Sequence, residues 1–255
     1  MDYLDTHKNQ MKQTEKEIIV VDDESEEAYF LASLIDPRKR HMVEREAKFD
    51  QLMMMYRCAI REIRTKLEVL NDDLAVRYNR NPIEHINDRI KDPKSIALKL
   101  KKIGVPVRSE SIPDNLNDVA GIRVICSFID DIYTIAGMLI RQDDIKLIKM
   151  KDYIENPKLN GYRSLHLIVE VPVFFADVTR PMRVEVQIRT IAMDFWASLE
   201  HHLRYKKEIQ DAQEIEMELK RCADAIAQTD EDMLKVRKRI FRDADSMENH
   251  SLWND

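Results

Sequence analysis

The stretch Ser164-Leu-His-Leu-Ile-Val-Glu-Val-Pro-Val173 alternates. Leu165, Leu167, Val169 and Val171 fall on one face, and Ser164, His166 and Glu170 on the other, as in a half-buried strand. A second stretch, Arg183-Val-Glu-Val-Gln-Ile-Arg189, does the same, with Val184, Val186 and Ile188 against Glu185, Gln187 and Arg189. The two read as an antiparallel pair joined by Phe174–Pro181. Upstream, Ile122-Arg-Val-Ile-Cys-Ser-Phe128 is β-rich and bounded by Gly121, and residues 145–154 alternate weakly. Between them Asp130 is placed to cap a helix over 131–141. After the pair comes a helix whose expected buried row is Phe195, Leu199 and Leu203.

Helical periods dominate both ends. Phe49, Leu52, Tyr56, Ile60, Ile63, Leu67 and Leu70 recur at steps of three and four within residues 27–78, with Pro37 dividing a short helix from a long one. Pro93-Lys94-Ser95 opens a short helix with Ile96, Leu100 and Ile103 on one face and Gly104 as its stop. Residues 206–242 read as a charged helix with Ile209, Leu219, Ile226, Leu234 and Ile240 as scattered anchors. The expected architecture is α+β: a mixed sheet flanked by helices, with helical extensions at both termini. The organisation expected is an acidic lead and short helix over 1–43, a catalytic domain over 44–207, and a helical extension over 208–255.

Composition narrows the class. Of 255 residues, 35% are charged and only 4 are glycine, so neither a GxxxxGK nor a GxGxxG phosphate loop occurs. Any nucleotide phosphate must be held mostly by side chains. No eighteen-residue run lacks charge, and the N-terminus has no apolar core, which argues against a membrane span and a secretory signal. Cys58, Cys126 and Cys222 lie far apart, which points to a reducing cytoplasm and no zinc knuckle. The net charge is −6, but it is unevenly spread. Residues 1–30 and 206–255 are acidic, whereas 31–205 carries 29 bases against 25 acids. Within it, Arg89, Lys91, Lys94, Lys99, Lys101 and Lys102 form a basic run. Charge alone leaves it as either a solvated helix face or a grip for a polyanion.

Three segments put polar residues where a core would be apolar: Asp118-Val-Ala-Gly-Ile-Arg123, Lys158-Leu-Asn-Gly-Tyr-Arg-Ser-Leu-His166, and Glu185-Val-Gln-Ile-Arg-Thr-Ile-Ala-Met-Asp-Phe-Trp-Ala-Ser-Leu-Glu-His201. Singly each has a bland reading: Asp118 as a cap, Glu185 paired with Arg189, Tyr162 as core. Together with Pro82-Ile-Glu-His85 they resemble the synthetase domain of RelA/SpoT-type guanosine-polyphosphate synthetases, most closely the small alarmone synthetases. The resemblance covers residues 44–207.

The resemblance implies transfer of the β,γ-diphosphate of ATP to the ribose 3′-hydroxyl of GDP or GTP, giving ppGpp or pppGpp and AMP. Phosphoryl chemistry of this kind rests on positioning and charge neutralisation. By resemblance Asp118 and Glu185 hold Mg2+, and Glu185 is also the candidate acceptor of the hydroxyl proton. Arg89 and Arg123 flank the adenine, and Lys91, Lys99 and Lys102 meet the ATP phosphates, although relatives often carry arginine at position 102. Tyr162 stacks on guanine, Lys158 binds the acceptor's 5′-phosphates, and His166 reaches its phosphate or ribose. Glu200 reads the guanine edge. Asp194 belongs to the acceptor site, at a position that is asparagine in one branch of the small synthetases. His201-His202 is read as surface or pocket edge rather than a zinc pair, and Met53-Met-Met55 as helix packing.

No His-Asp dipeptide occurs, so synthesis without a hydrolase is expected. The competing readings are a catalytically inactive relative that binds nucleotide or RNA, and a nucleotidyltransferase that releases pyrophosphate. The carboxylate pair favours the enzyme, because a pure polyanion binder needs no Asp118 and Glu185 beside its bases. The resemblance also implies a homotetramer built from helices outside the sheet, with Ile209, Leu219, Ile226 and Leu234 seeking a surface on the chain's own N-terminal helices or a neighbour's.

Overall fold

The structure, a computed structural model, describes residues 37–204 and 212–251. The acidic lead, the short helix before Pro37, Ile209 and the junction near Lys207 lie outside the described residues. The chain divides into two compact units, Met1–Gln51 and Leu52–Asp255. In the first, the described residues are the opening turns of a helix and are mostly exposed.

Among the described residues the elements run α1 (Pro37–Tyr78), β1 (Ile83–Ile90), α2 (Pro93–Lys102), a 3-10 turn (Ser109–Ser111), α3 (Ile112–Asn115), β2 (Ala120–Cys126), α4 (Ile129–Ile140), β3 (Lys146–Asp152), β4 (Leu165–Phe174), β5 (Thr179–Thr190), α5 (Ile191–Arg204) and α6 (Ala212–Ser251). The sheet order is β1-β2-β5-β4-β3. Only β2 and β5 are parallel; the other pairs are antiparallel. This is the expected mixed sheet flanked by helices.

The helical stripe of α1 is buried as its spacing demands, with Met53, Tyr56, Ala59, Ile60, Ile63 and Leu67 inside and Met54 outside. Burial raises the Tyr56 phenol to about 12. Asn79, at φ 49, ends the helix in the left-handed region that asparagine tolerates. Arg64 then ties the helix to Asp88 of β1 at 2.6 Å, and Asn71 accepts from the Ile83 amide. In α2 the Asp92 carboxylate caps the Ser95 amide at 3.0 Å, Pro93 fills the first turn, and Gly104 stops the segment at φ 75.

Four expectations need correction. The β4–β5 hairpin turns within Phe175–Val178, closed by the Phe175 amide on the Val178 carbonyl at 2.9 Å, so both strands run further than their alternation marked. Gly121 lies inside β2 rather than bounding it, because the strand begins at Ala120. Asp130 does not cap α4: Phe128 holds the N-cap position in an extended conformation, and no side chain bonds there. Asp130 and Asp131 instead sit in the first turn and pair with Arg237 of α6, Asp131 also with Arg80. Acids in the first turn still favour the helix dipole.

The fourth correction is α5. Phe195, Leu199 and Leu203 are 59%, 48% and 57% exposed, and the buried side is Met193, Trp196 and Ala197. Both rows satisfy helical spacing. The choice is made by the indole, which packs on α6 and donates to the Leu219 carbonyl at 3.0 Å. Leu219 and Ile226 pack against this same cluster, on the chain's own surface. Among the described residues no helix is long and apolar enough to cross a membrane.

Candidate active site

The register lines polar residues up across the sheet. Asn87 on β1 pairs with Arg123 on β2, Arg123 with Gln187 on β5, and Gln187 with His166 on β4. In the next row Arg89 faces Gly121, and Gly121 faces Glu185. Paired residues in a ladder project to the same face. The period of two in β4 and β5 therefore gathers His166, Glu185, Gln187 and Arg123 above the sheet while Leu167, Val184, Val186 and Ile188 fill the core below.

A cavity of about 730 Å3 opens on this face, bordered by Arg89, Arg123, Lys158, Tyr162, His166 and Glu200, with Asn160, Gln187, Arg189, Ala197, Ser198, His201 and His202 completing it. A smaller cleft of about 220 Å3 adjoins it, formed by Asn87, Asp88, Gly121 and Ile122. Arg89, Arg123 and Gln187 border both. The Arg123 Nε is buried with no hydrogen-bond partner among the described residues, although its terminal nitrogen lies 3.4 Å from Asp194. A buried donor of this kind calls for a ligand.

Arg189 organises the floor. Only 4% exposed, it donates to the Tyr162 hydroxyl at 2.5 Å, to Asp194 at 3.1 Å, to the Gln187 side-chain oxygen at 3.2 Å and to the Ser164 hydroxyl at 3.3 Å. The Tyr162 hydroxyl lies 2.8 Å from His166 Nε2. With the phenol donating there, Nδ1 carries the ring proton and faces Glu185 Oε1 at 3.3 Å. One connected network thus runs from Asp194 through Arg189, Tyr162 and His166 to Glu185. Lys158 places its ammonium 4.5 Å from the centre of the Tyr162 ring and 4.7 Å from that of Tyr153.

The second carboxylate stands just before β2. Asp118 accepts from Lys91 at 3.0 Å and pairs with Lys99 at 2.7 Å. Burial pushes its carboxyl up, but the bonds and charges of Lys99 and Lys91 outweigh that and hold it below the usual carboxylate range. Glu185 behaves alike: burial raises it, and His166 and Gln187 more than compensate. The negative charge of Asp118 is felt at Glu185. Both carboxyls are therefore ionised at neutral pH. Among the described residues no group of three or more His, Cys, Asp or Glu side chains forms a metal cage. Ionised carboxylates are oxygen donors of the kind that suits Mg2+ rather than zinc.

A family model described as a region found in RelA / SpoT proteins matches residues 88–210. The chain is 40% identical over 188 residues to the GTP pyrophosphokinase YwaC of Bacillus subtilis, covering 74% of this chain and 90% of that one. It belongs to the RelA/SpoT family. Among solved structures, the small alarmone synthetase 2 of Bacillus subtilis is 41% identical, with a TM-score of 0.67, over 73% of this chain and 97% of that one. The small alarmone synthetase 1 of the same organism, solved with its product pppGpp, is 32% identical with a TM-score of 0.68, over 75% and 97% of the two chains. Within this family the chain is a synthetase-type member.

Of the residues expected from sequence, Arg89, Arg123, Lys158, Tyr162, His166 and Glu200 border the large cavity, with Asp194 and Glu185 bonded to its walls. Lys91 and Lys99 meet at Asp118 rather than at the cavity. Lys102 is exposed at the end of α2 and borders neither space. The bland pairing of Glu185 with Arg189 does not form, since Glu185 turns to His166 and Arg189 to Asp194. His201 and His202 stand at the cavity edge as expected. Sequence reasoning gave no role to Gln187, Asn160 or Tyr153, and gave Arg189 only the pairing with Glu185. For Arg189 and Gln187 the signal was present, because both alternate with apolar residues on the strand that carries Glu185.

Proposed function

We infer that this chain is a GTP pyrophosphokinase that transfers the β,γ-diphosphate of ATP to the 3′-hydroxyl of GDP or GTP, giving ppGpp or pppGpp and AMP. What carries the reading is its 40% identity to a protein of that name over nine-tenths of that protein's length. Two adjoining spaces that share Arg89 and Arg123 give it room for a donor and an acceptor nucleotide.

In this reading ATP takes the smaller cleft, with its adenine between the Arg89 and Arg123 guanidiniums. Lys91 and Lys99, occupied with Asp118 in the free protein, turn to the incoming triphosphate and leave Asp118 to the metal, with Lys102 a more distant contributor. Bound Mg2+, held by Asp118 and Glu185, would neutralise charge on the transferred diphosphate. GDP or GTP takes the larger cavity. Lys158 leaves the Tyr162 ring for the acceptor's 5′-phosphates, which frees that face for guanine, and Glu200 accepts from the guanine edge. His166 holds Glu185 toward the ribose, where its carboxylate receives the 3′-hydroxyl proton. Asp194 acts through Arg189, keeping Tyr162 upright.

The decisive experiment incubates the purified protein with ATP, Mg2+ and GDP or GTP and separates the nucleotides by anion exchange. AMP in equal amount to a guanosine bearing a 3′-diphosphate is expected. Pyrophosphate release instead would refute the reaction class. The two sites separate by mutation: Tyr162→Ala weakens guanine nucleotide binding by about 1–3 kcal/mol of lost stacking, with ATP binding little changed, and Arg123→Ala does the reverse. Calorimetry checks both, and the opposite pattern would mean the sites are exchanged.

The exposed row Phe195, Leu199 and Leu203, with Met233, Val236 and Ile240 of α6, supports assembly into a homotetramer. Three free cysteines fit a cytoplasmic protein. A light-scattering mass near the 30.2 kDa monomer at micromolar concentration would rule the oligomer out.

A further inference from the structure

The last long helix touches the acceptor half of the site at two points. The first is Gly161, the residue before Tyr162. Its φ is +88°, and a methyl group built there would stand 2.3 Å from the Ala223 Cβ and 3.3 Å from the Lys220 Cδ of α6. The loop backbone thus lies directly against the helix. Around this point Tyr162, Leu219 and Ile226 pack on Trp196, Ala197 and Ala223. The second point is Thr190, which follows Arg189 at the end of β5. Its hydroxyl accepts from the Met193 amide at 3.1 Å, which starts α5, and donates to Asp230 of α6 at 2.6 Å. Thr190 is fully buried and Asp230 is 6% exposed. Further along, Arg237 lies 4.4 Å over the Phe128 ring and pairs with the acids that open α4.

We propose that α6 is the positioning wall of the acceptor pocket: Ala223 sets the loop that presents Tyr162, and Asp230 sets the strand end that presents Arg189. The proposal rests on the functional reading above, and it assigns a role to a helix that lies beyond the matched region 88–210. Two distant segments, the 158–162 loop and the β5–α5 junction, must agree in position for Arg189 to reach the Tyr162 hydroxyl. A rigid helix touching both gives them a common reference. Positioning of this kind acts on acceptor binding more than on ATP, because neither contact involves the residues of the smaller cleft. Burial holds the Asp230 carboxyl above its ordinary range, with Thr190 pulling the other way, as befits a group whose task is one short internal bond. Ala223 and Asp230 are positioning residues and touch neither nucleotide.

The test is a double-mutant cycle read by calorimetric binding of GDP and of α,β-methylene ATP to the full-length protein. Gly161→Ala should weaken GDP binding about 30-fold or more, from the clash with Ala223 added to the left-handed backbone. Ala223→Gly removes the clashing methyl and alone should shift GDP binding about twofold. The double variant should regain at least about fivefold over Gly161→Ala, with α,β-methylene ATP within about twofold throughout. Asp230→Ala should weaken GDP binding about fivefold, as for one lost buried hydrogen bond, and Asp230→Asn, which keeps an acceptor oxygen, should recover most of that. Additive behaviour in the cycle, or equal loss of both nucleotides, overturns the proposal. If Gly161→Ala does not fold, the Asp230 pair decides by the same criterion. Wild-type protein that binds no guanine nucleotide overturns the functional reading and this one with it. Normal wild-type binding with additive variants overturns only this one.

Discussion

Glu185→Gln should cut turnover by about 10²–10⁴-fold, the range for removing a group that moves a proton in the transition state, with KM for both nucleotides changed far less. The amide keeps the shape, but its single oxygen can accept from only one of His166 and Gln187; the strand itself should stay in place, because its ladder with β2 and β4 is untouched. What it loses is a charge: it can neither accept the 3′-hydroxyl proton nor serve as an anionic ligand to Mg2+. The wild-type carboxyl is held below its usual range against the cost of burial, so it is ionised throughout the neutral range and the loss should not vary with pH there. Asp118→Asn should also be severe, through the metal alone, and should additionally release Lys91 and Lys99 from their partner. Steady-state rates of AMP formation, with circular dichroism to confirm folding, measure both. Near-normal turnover in Glu185→Gln would mean that the reacting centre lies elsewhere on the sheet.

Arg189→Ala should be the most destabilising change in the site. The guanidinium is buried and serves Asp194, Tyr162, Gln187 and Ser164. Its removal leaves the partly buried Asp194 carboxylate with only the longer Arg123 contact at 3.4 Å, and the Tyr162 phenol with only His166. Breaking one side of a buried ion pair costs about 3–5 kcal/mol, which lowers the melting temperature of a chain of this size by roughly 6–20 °C. Guanine nucleotide binding should fall with it, because His166 alone then holds the Tyr162 hydroxyl. Removing the stranded charge as well, in Arg189→Ala with Asp194→Ala, should restore part of the melting temperature, since much of the penalty belongs to the unpaired carboxylate. Scanning calorimetry on the three variants decides. If the double variant melts below Arg189→Ala, the pair is not the source of the stability.

Local pattern was enough for β4, β5 and the stripe of α1, because burial on one face imposes a period that a single strand or helix displays by itself. Strand β1 is the opposite case. Ile83-Glu-His-Ile-Asn-Asp-Arg-Ile90 is an edge strand, mostly exposed, so no face of it is forced to be apolar and no alternation marks it. Its existence depends on pairing with β2. That pairing, and not the basic run, is what brings Arg89 beside Gly121.

The same division runs through the site. The residue types needed for diphosphate chemistry are written in three ordered segments, which together with Pro82-Ile-Glu-His85 carried the family resemblance. Sequence by itself thus determined the α+β class, the helical stop at Gly104, and which carboxylates, bases and aromatic rings are available. Only the tertiary structure decided which of them meet. It turned Trp196 inward in place of Phe195, joined Arg189 to Asp194 in place of Glu185, and laid α6 along Gly161 and Thr190. Those choices compare contacts between segments tens of residues apart. A helix row or a charge has the same local spacing whichever partner it takes, so the packing of the whole domain selects among them.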